Sequence, residues 1–590
     1  MNKVLVRILA VFGGLALIGL MVGLGIWGIV CMGRGTVPQK VLLEVDLEQG
    51  ILEQIPDDPI ASLMLKDTPV VRDLVDALEK AAEDDRVVGL VARVGAVPIG
   101  MAQIQELRDA VTAFRAKKKP AIAFAETFGE VGPGGGSYYL ATAFDQIWLQ
   151  PSGDIGLTGI ILESPFIRGT LDKLGVKPRM DHRYEYKNAM NMFTEKKYDS
   201  YHREAMEKLM NSWFSQIVKG ISQSRHLTEE QVRSLVDRGP FLGKEAVDAG
   251  LVDGLAYRDE VYAAARKKVG EKAELLFLGQ YLKRAGRPHR TGKTIALIYG
   301  VGGVSRGDSG YSPMSGETTM GSDSVAAAFR QAVADKNVKA ILFRVDSPGG
   351  SYVASDTIWR ETIKAKKAGK PVIATMGNLA GSGGYFVAMA ADKIVAQPGT
   401  ITASIGVLGG KMLTTDFWEK LGISWDEVHA GANATLWTGT RDYSPEGWSR
   451  FQAWLDRIYV DFTGKVAEGR KLPREKVLQI AKGRIWTGED AKGLGLVDEL
   501  GGFPVALKLA KKAAGIPEKE DVTLKIYPPK KSLIESILEE PSDSSEPQAA
   551  VAAMFRSLQS LQPVVRQLRM AGLLPPEAGA LSMAEVPTAP

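Results

Sequence analysis

Asn378-Leu379-Ala380-Gly381-Ser382-Gly383-Gly384-Tyr385 has an earlier counterpart, Pro133-Gly134-Gly135-Gly136-Ser137-Tyr138, in which Gly135 stands where Ser382 would be. The two stretches align without a gap at an offset of 247, which also relates Asp145 to Asp392 and Pro151 to Pro398. Working outward, Val87–Val94 matches Val338–Val345 at an offset of 251. Gly250-Leu251-Val252-Asp253 matches Gly495-Leu496-Val497-Asp498 at 245, so small insertions separate two copies of one unit.

Each copy runs through the same alternation. A β-branched strand is followed by a helical stretch (Met101–Lys118, Ser355–Gly369). A proline and a second strand come next (Ala121–Ala125, Val372–Met376), then the glycine turn and a short helix (Tyr138–Ala143, Tyr385–Ala391). That pattern predicts an α/β fold with mainly parallel strands. The expected organisation is an anchor over 1–34, a first repeat over 40–279, a basic linker over 280–292, a second repeat over 293–527 and a tail over 528–590. Gly302–Ser322, rich in Gly, Ser and Thr, reads as a mobile loop. In the tail, Glu539–Gln548 reads as disordered and Met554–Leu568 as an amphipathic helix.

The 590 residues are too many for one core, and the net charge of +4 gives no case for a nucleic-acid partner. Cys31 is the single cysteine, which excludes internal disulfides and thiolate metal clusters; the five histidines lack metal-ligand spacing. Ile8–Gly33 carries no charge over 26 residues, enough at about 1.5 Å per residue to span a bilayer core of roughly 30 Å. Lys3 and Arg7 precede it, which predicts a cytoplasmic N-terminus and the remainder across the membrane. Val30-Cys31-Met32 has no small-x-small cleavage pattern, so an uncleaved anchor is expected rather than a signal peptide.

A serine among glycines is usually only a turn. Ser382, however, lies between a buried strand and a helix start, the context of a nucleophile elbow. Asp346-Ser347-Pro348-Gly349-Gly350 ends a neighbouring strand, where glycine amides can face an oxyanion. A base is needed, and no histidine lies near in sequence; His429 is a weak rival. A lysine is neutral in only about one molecule in 2,500 at pH 7, so it serves only when burial lowers its pKa by several units. Tyr184-Glu185-Tyr186-Lys187-Asn188-Ala189 supplies a lysine in apolar and aromatic company, and the position 247 residues on is Ala434. Each copy thus keeps one half of a Ser/Lys pair and lacks the other. Two alternatives stand beside this reading: a crotonase-like acyl-CoA enzyme, which needs neither residue, and an inactive membrane-bound scaffold.

These motifs, with Thr402-Ala403-Ser404-Ile405-Gly406, resemble those of the signal peptide peptidase A family in its long, two-repeat form, membrane-anchored serine proteases of bacteria. The resemblance runs from the anchor to about Gly515; Gly381 departs from it, standing where members often carry alanine. It implies two tandem repeats of the Clp protease/crotonase type. It places Ser382 on the nucleophile, Lys187 on the general base, Ser404 on the serine that hydrogen-bonds the lysine, and Gly349 and Gly350 on the oxyanion loop. It also implies no metal or cofactor, a homotetramer, and cleaved signal peptides as substrates. The location it implies is the bacterial inner membrane, single-pass, with the catalytic part on the periplasmic side.

Overall fold

A computed structural model describes residues 35–529, apart from Gln49, Asp58, 96–98 and 313–314. The expected anchor at 1–34 and the tail segments after Lys530 lie outside the described residues. Each repeat is built on one mainly parallel sheet; in the second, Ile401–Ala403 also joins, and Ile485–Thr487 pairs antiparallel with it. In the first, the strand order is Gly254–Leu255, Gln146–Leu149, Ala121–Ala125, Val87–Arg93, Val41–Asp46, Glu274–Phe277. In the second, Glu499–Leu500, Lys393–Ala396, Val372–Gly381, Val338–Ser347, Lys293–Val301 and Val522–Tyr527 follow the same order. The central strands are buried on both faces because their residues are almost all apolar: Ala121–Ala125 is buried throughout, as is Ala340–Val345.

Some helices start at a side-chain cap. Ser351 accepts from Ala354 N–H, so the helix expected from Ser355 begins at Tyr352 and runs to Lys367. Ser444 caps a 26-residue helix, Pro445–Arg470, with proline in its first turn, where a missing N–H costs nothing.

Three segments of the stretch expected as a mobile loop are strands instead. Gly303–Ser305 pairs parallel with Glu317–Gly321, which pairs antiparallel with Gly310–Ser312. Val304 and Met320 explain this: both are buried in the second repeat's core. Within the stretch expected as a linker, helix Leu278–Ala285 buries Tyr281 and Leu282 against the first repeat, and the connection proper follows Gly286.

Two contacts between the repeats position the site. Arg344, 1% exposed on a central strand of the second repeat, pairs with Glu53 (2.6 Å) and Glu106 (2.9 Å) of the first. Removing either carboxylate partner would strip a buried charge of compensation. The second contact is a two-stranded antiparallel ribbon, Lys177–Arg183 against Val407–Leu413, in register from Val407 opposite Arg183 to Leu413 opposite Lys177. It carries the chain of the first repeat into the second.

Candidate active site

The Val372–Gly381 strand ends at Ser382, and helix Gly383–Ala388 begins immediately after. Ser382 has φ 53° and ψ −117°, a conformation that costs a non-glycine residue of order 1–3 kcal/mol. It is held there by its N–H donating to Ala403 O (2.7 Å) and its carbonyl accepting from Phe386 N–H (2.9 Å). The flanking glycines make room: a Cβ on Gly383 would lie 2.6 Å from Ser355 Oγ, and one on Gly384 2.5 Å from Ser347 O. Gly381 is different, since a Cβ there would meet nothing nearer than 3.5 Å, so alanine would fit.

Lys187 follows the ribbon directly. Gly406 sits where a Cβ would press Arg183 O at 2.8 Å, and Gly483 (φ +82°) where one would press Lys187 Cβ at 2.5 Å. Tyr186 N–H donates to Lys482 O, so the first repeat's lysine is seated against the second repeat's backbone. Its Nζ donates to Ser404 O (2.8 Å) and Ser404 Oγ (2.9 Å). Lys187 is 5% exposed, and burial alone takes its ammonium down to about pKa 7. No carboxylate offsets that shift.

Ser382, Lys187, Ser404, Gly349 and Gly350 all line one cavity of about 350 Å³. Its other walls are apolar, among them Phe386, Val407, Ile458 and Phe462. Nζ spends its hydrogen bonds on Ser404 and makes none to Ser382 Oγ. A larger concavity, about 1390 Å³, lies against the first repeat, but it holds neither serine nor cysteine, and its Arg93 is paired with Asp46. His429 is exposed, 3.5 Å from Glu427, and outside the smaller cavity.

The glycine loop divides its roles unevenly. Gly349 N–H donates to Ser347 Oγ (3.2 Å), while Ser347 Oγ donates to Gly302 O (2.6 Å). Gly349 is therefore an occupied donor, unlike the sequence expectation. Gly350 N–H is not among the hydrogen-bonded amides, and neither is that of Gly383, the first residue of its helix. The Gly350 nitrogen is 3.0 Å from where a Gly383 Cβ would be, so the two amides are neighbours beside Ser382. Sequence reasoning did not single out Gly383; its position directly after the candidate nucleophile was the available signal.

Asp346 precedes this loop. Its Oδ1 accepts from Leu379 N–H (2.8 Å), and burial, with the Glu53 charge adding to it, pushes its carboxyl up to about pKa 7.

The profile of Peptidase family S49 matches residues 113–272 and 364–517, one region in each repeat. A chloroplastic serine protease SPPA of Arabidopsis thaliana is 32% identical over 457 residues, 75% of this chain and 66% of that protein. Protease 4 of Salmonella typhi is 33% identical over 461 residues, 76% of this chain and 72% of that one. A solved ClpP1 mutant from Listeria monocytogenes aligns with a TM-score of 0.23 at 17% identity, over 36% of this chain and 94% of its own.

The family model and the relatives define a serine protease, a hydrolase. The chain belongs to Peptidase family S49, and its likeness to these relatives over most of its length is that of the long, two-repeat form.

Proposed function

We propose that this protein is a membrane-anchored endopeptidase working through a Ser382/Lys187 dyad, and that it degrades signal peptides left in the membrane after secretion. The observation that carries the dyad is the Lys187 amine: buried, free of any carboxylate, lowered to about pKa 7 and lining the same cavity as Ser382. At neutral pH a substantial fraction of such an amine is unprotonated, against about one in 2,500 for an ordinary lysine.

In the mechanism, neutral Lys187 takes the Ser382 hydroxyl proton as Oγ attacks the peptide carbonyl. The Gly350 and Gly383 amides receive the developing oxyanion, and Gly349 shapes the loop that presents the first of them. Lys187 then hands its proton to the departing amine. Water, deprotonated by the same lysine, hydrolyses the acyl-enzyme. Ser404 holds Nζ by two acceptors and so aims it. No step calls for a metal or cofactor.

The apolar cavity wall suits the hydrophobic stretch of a signal peptide, and the likeness to relatives described as proteases supports peptide substrates. The repeats are read as Clp protease/crotonase-like from their motifs, and the assembly as a homotetramer. Ile8–Gly33 is the anchor in this reading, with the catalytic part on the periplasmic side of the inner membrane; among the described residues no helix is long and apolar enough to cross a membrane. Hydrolysis of a leucine-rich peptide by Ser382→Ala and Lys187→Ala tests the dyad. Each is expected to lose about a thousandfold or more in kcat/KM; wild-type activity in either would refute it.

A further inference from the structure

The strand that delivers Ser382 does not run straight to it. Val345 lies opposite Met376 and Ser347 opposite Ala380, so Asp346 alone faces three residues, Gly377, Asn378 and Leu379. Before this bulge the strand pairs with Lys393–Ala396; after it, Leu379, Ala380 and Gly381 pair with Ile401, Thr402 and Ala403. The bulge is therefore where the nucleophile strand changes neighbours, and the new neighbour leads directly into Ser404.

A bulge leaves backbone groups without ladder partners, and each must be satisfied another way. On the carbonyl side, Thr400 Oγ1 donates to Gly377 O (2.8 Å) and Thr402 Oγ1 to Ala380 O (2.9 Å). On the amide side, Leu379 N–H donates to Asp346 Oδ1 (2.8 Å), and the Asn378 amide favours the same carboxylate. The carboxylate fits because Gly377 leaves it space: a Cβ there would lie 2.9 Å from Asp346 Cβ and Cγ. Asn378 is pinned in turn by the first repeat, its Oδ1 accepting from Gln103 N–H (3.2 Å) in the first turn of helix Met101–Arg115. The main chain of Asp346 joins the oxyanion loop. Its carbonyl accepts from Gly302 N–H (2.9 Å), and the next residue, Ser347, donates to Gly302 O and accepts from Gly349 N–H. One residue thus fastens the nucleophile strand with its side chain and the base of the oxyanion loop with its backbone. The first repeat has Gly95 at the matching position, and the strand beside it stops at Ala125, well short of Gly135.

We infer that Asp346 is a positioning residue for the hydrolysis: by filling the bulge it sets the distance between Ser382 Oγ and the Gly350 and Gly383 amides. It acts through Leu379 and the loop, not on the substrate. The role needs a hydrogen-bond acceptor rather than a charge, since the Leu379 and Asn378 amides can donate to an amide oxygen as they do to a carboxylate. A misplacement of about 1 Å in such a site costs on the order of a hundredfold in rate. The inference rests on the reading of Ser382 as the nucleophile.

Hydrolysis of a leucine-rich peptide by the full chain in detergent tests it, with rates expressed per folded chain from tryptophan fluorescence, so that a loss of stability alone leaves kcat unmoved. Asp346→Ala is expected to lose about tenfold to a hundredfold in kcat, with KM within about twofold of wild type. Asp346→Asn, which keeps the acceptor, is expected to restore kcat to within about threefold of wild type. Should Asp346→Ala not fold, Asp346→Ser takes its place with the same expectation, because its shorter side chain falls short of Leu379 N–H. A wild-type kcat in the alanine or serine variant, or an asparagine variant as impaired as either, would overturn the inference. Ser382→Ala in the same assay separates the two readings. Activity in that variant refutes the nucleophile and this inference with it, whereas an inactive Ser382→Ala beside a fully active Asp346→Ala refutes the positioning role alone.

Discussion

Ser382 and Gly135 occupy the same place in two copies of one fold, and their backbones have diverged with their side chains. In the second repeat three non-glycine residues with positive φ gather at the site: Ser382 (53°), Ala403 (66°) and Ser404 (50°). Their counterparts in the first repeat, Gly135, Gly156 and Leu157, have none. There the short helix begins one position earlier, so that Gly135 is its first residue. Where the hydroxyl was lost, the turn relaxed into helix. Among these matched positions the strained backbone occurs only in the repeat that carries the serine.

The largest break in this comparison should come from a methyl group added to the second repeat's glycine loop, set against one added to the first repeat's glycine turn. Gly350→Ala would place Cβ 2.3 Å from Val304 O at a φ of +151°. Moving that amide should cost about a hundredfold to a thousandfold in kcat with peptide substrates. Gly135→Ala has no atom nearer than 4.0 Å and should leave activity unchanged, with a Tm equal to or slightly above wild type.

Next in size is Ser404→Ala. It removes one of the two acceptors of Lys187 Nζ and leaves the carbonyl, so kcat should fall about tenfold to a hundredfold while KM changes little. The matching Leu157→Ala would be felt only as core packing, a loss of about 2–5 kcal/mol in stability measured by denaturant unfolding.

The pH dependence sharpens the contrast between two groups near pKa 7. kcat/KM should rise with pH through about 7 as Lys187 loses its proton. Asp346 is pushed to a similar value, so Asp346→Asn should keep that limb if the lysine owns it. Loss of the limb in Asp346→Asn would transfer it to the carboxyl.

The smallest effect is on stability. Lys187 binds its proton less tightly folded than unfolded, so its burial cost is fully present below about pH 7 and fades as pH rises toward the unfolded value near 10.4. Lys187→Met should therefore melt a few degrees above wild type at pH 6, and the gap should close by pH 10.

Much of this was legible in the chain because the repeat supplied its own reference. The complementary losses at Gly135 and Ala434 pointed to Ser382 and Lys187 without any contact being known. The ribbon was not legible: Lys-Pro-Arg-Met-Asp-His-Arg at 177–183 has little β-propensity, and its pairing is set by tertiary packing. Nor was the small sheet over 303–321, where glycine content concealed the buried Val304 and Met320. Nor was the closeness of the Gly350 and Gly383 amides, which comes from the packing of two separate turns.

The central claim is that one dyad is assembled from both repeats, and the most direct measurement is the site of labelling by a fluorophosphonate. Mass spectrometry of the labelled wild-type chain at pH 8 should find the adduct on Ser382, with labelling reduced at least a hundredfold in Lys187→Ala. Labelling of Ser382 at an undiminished rate in Lys187→Ala, or an adduct on another serine, would contradict the account.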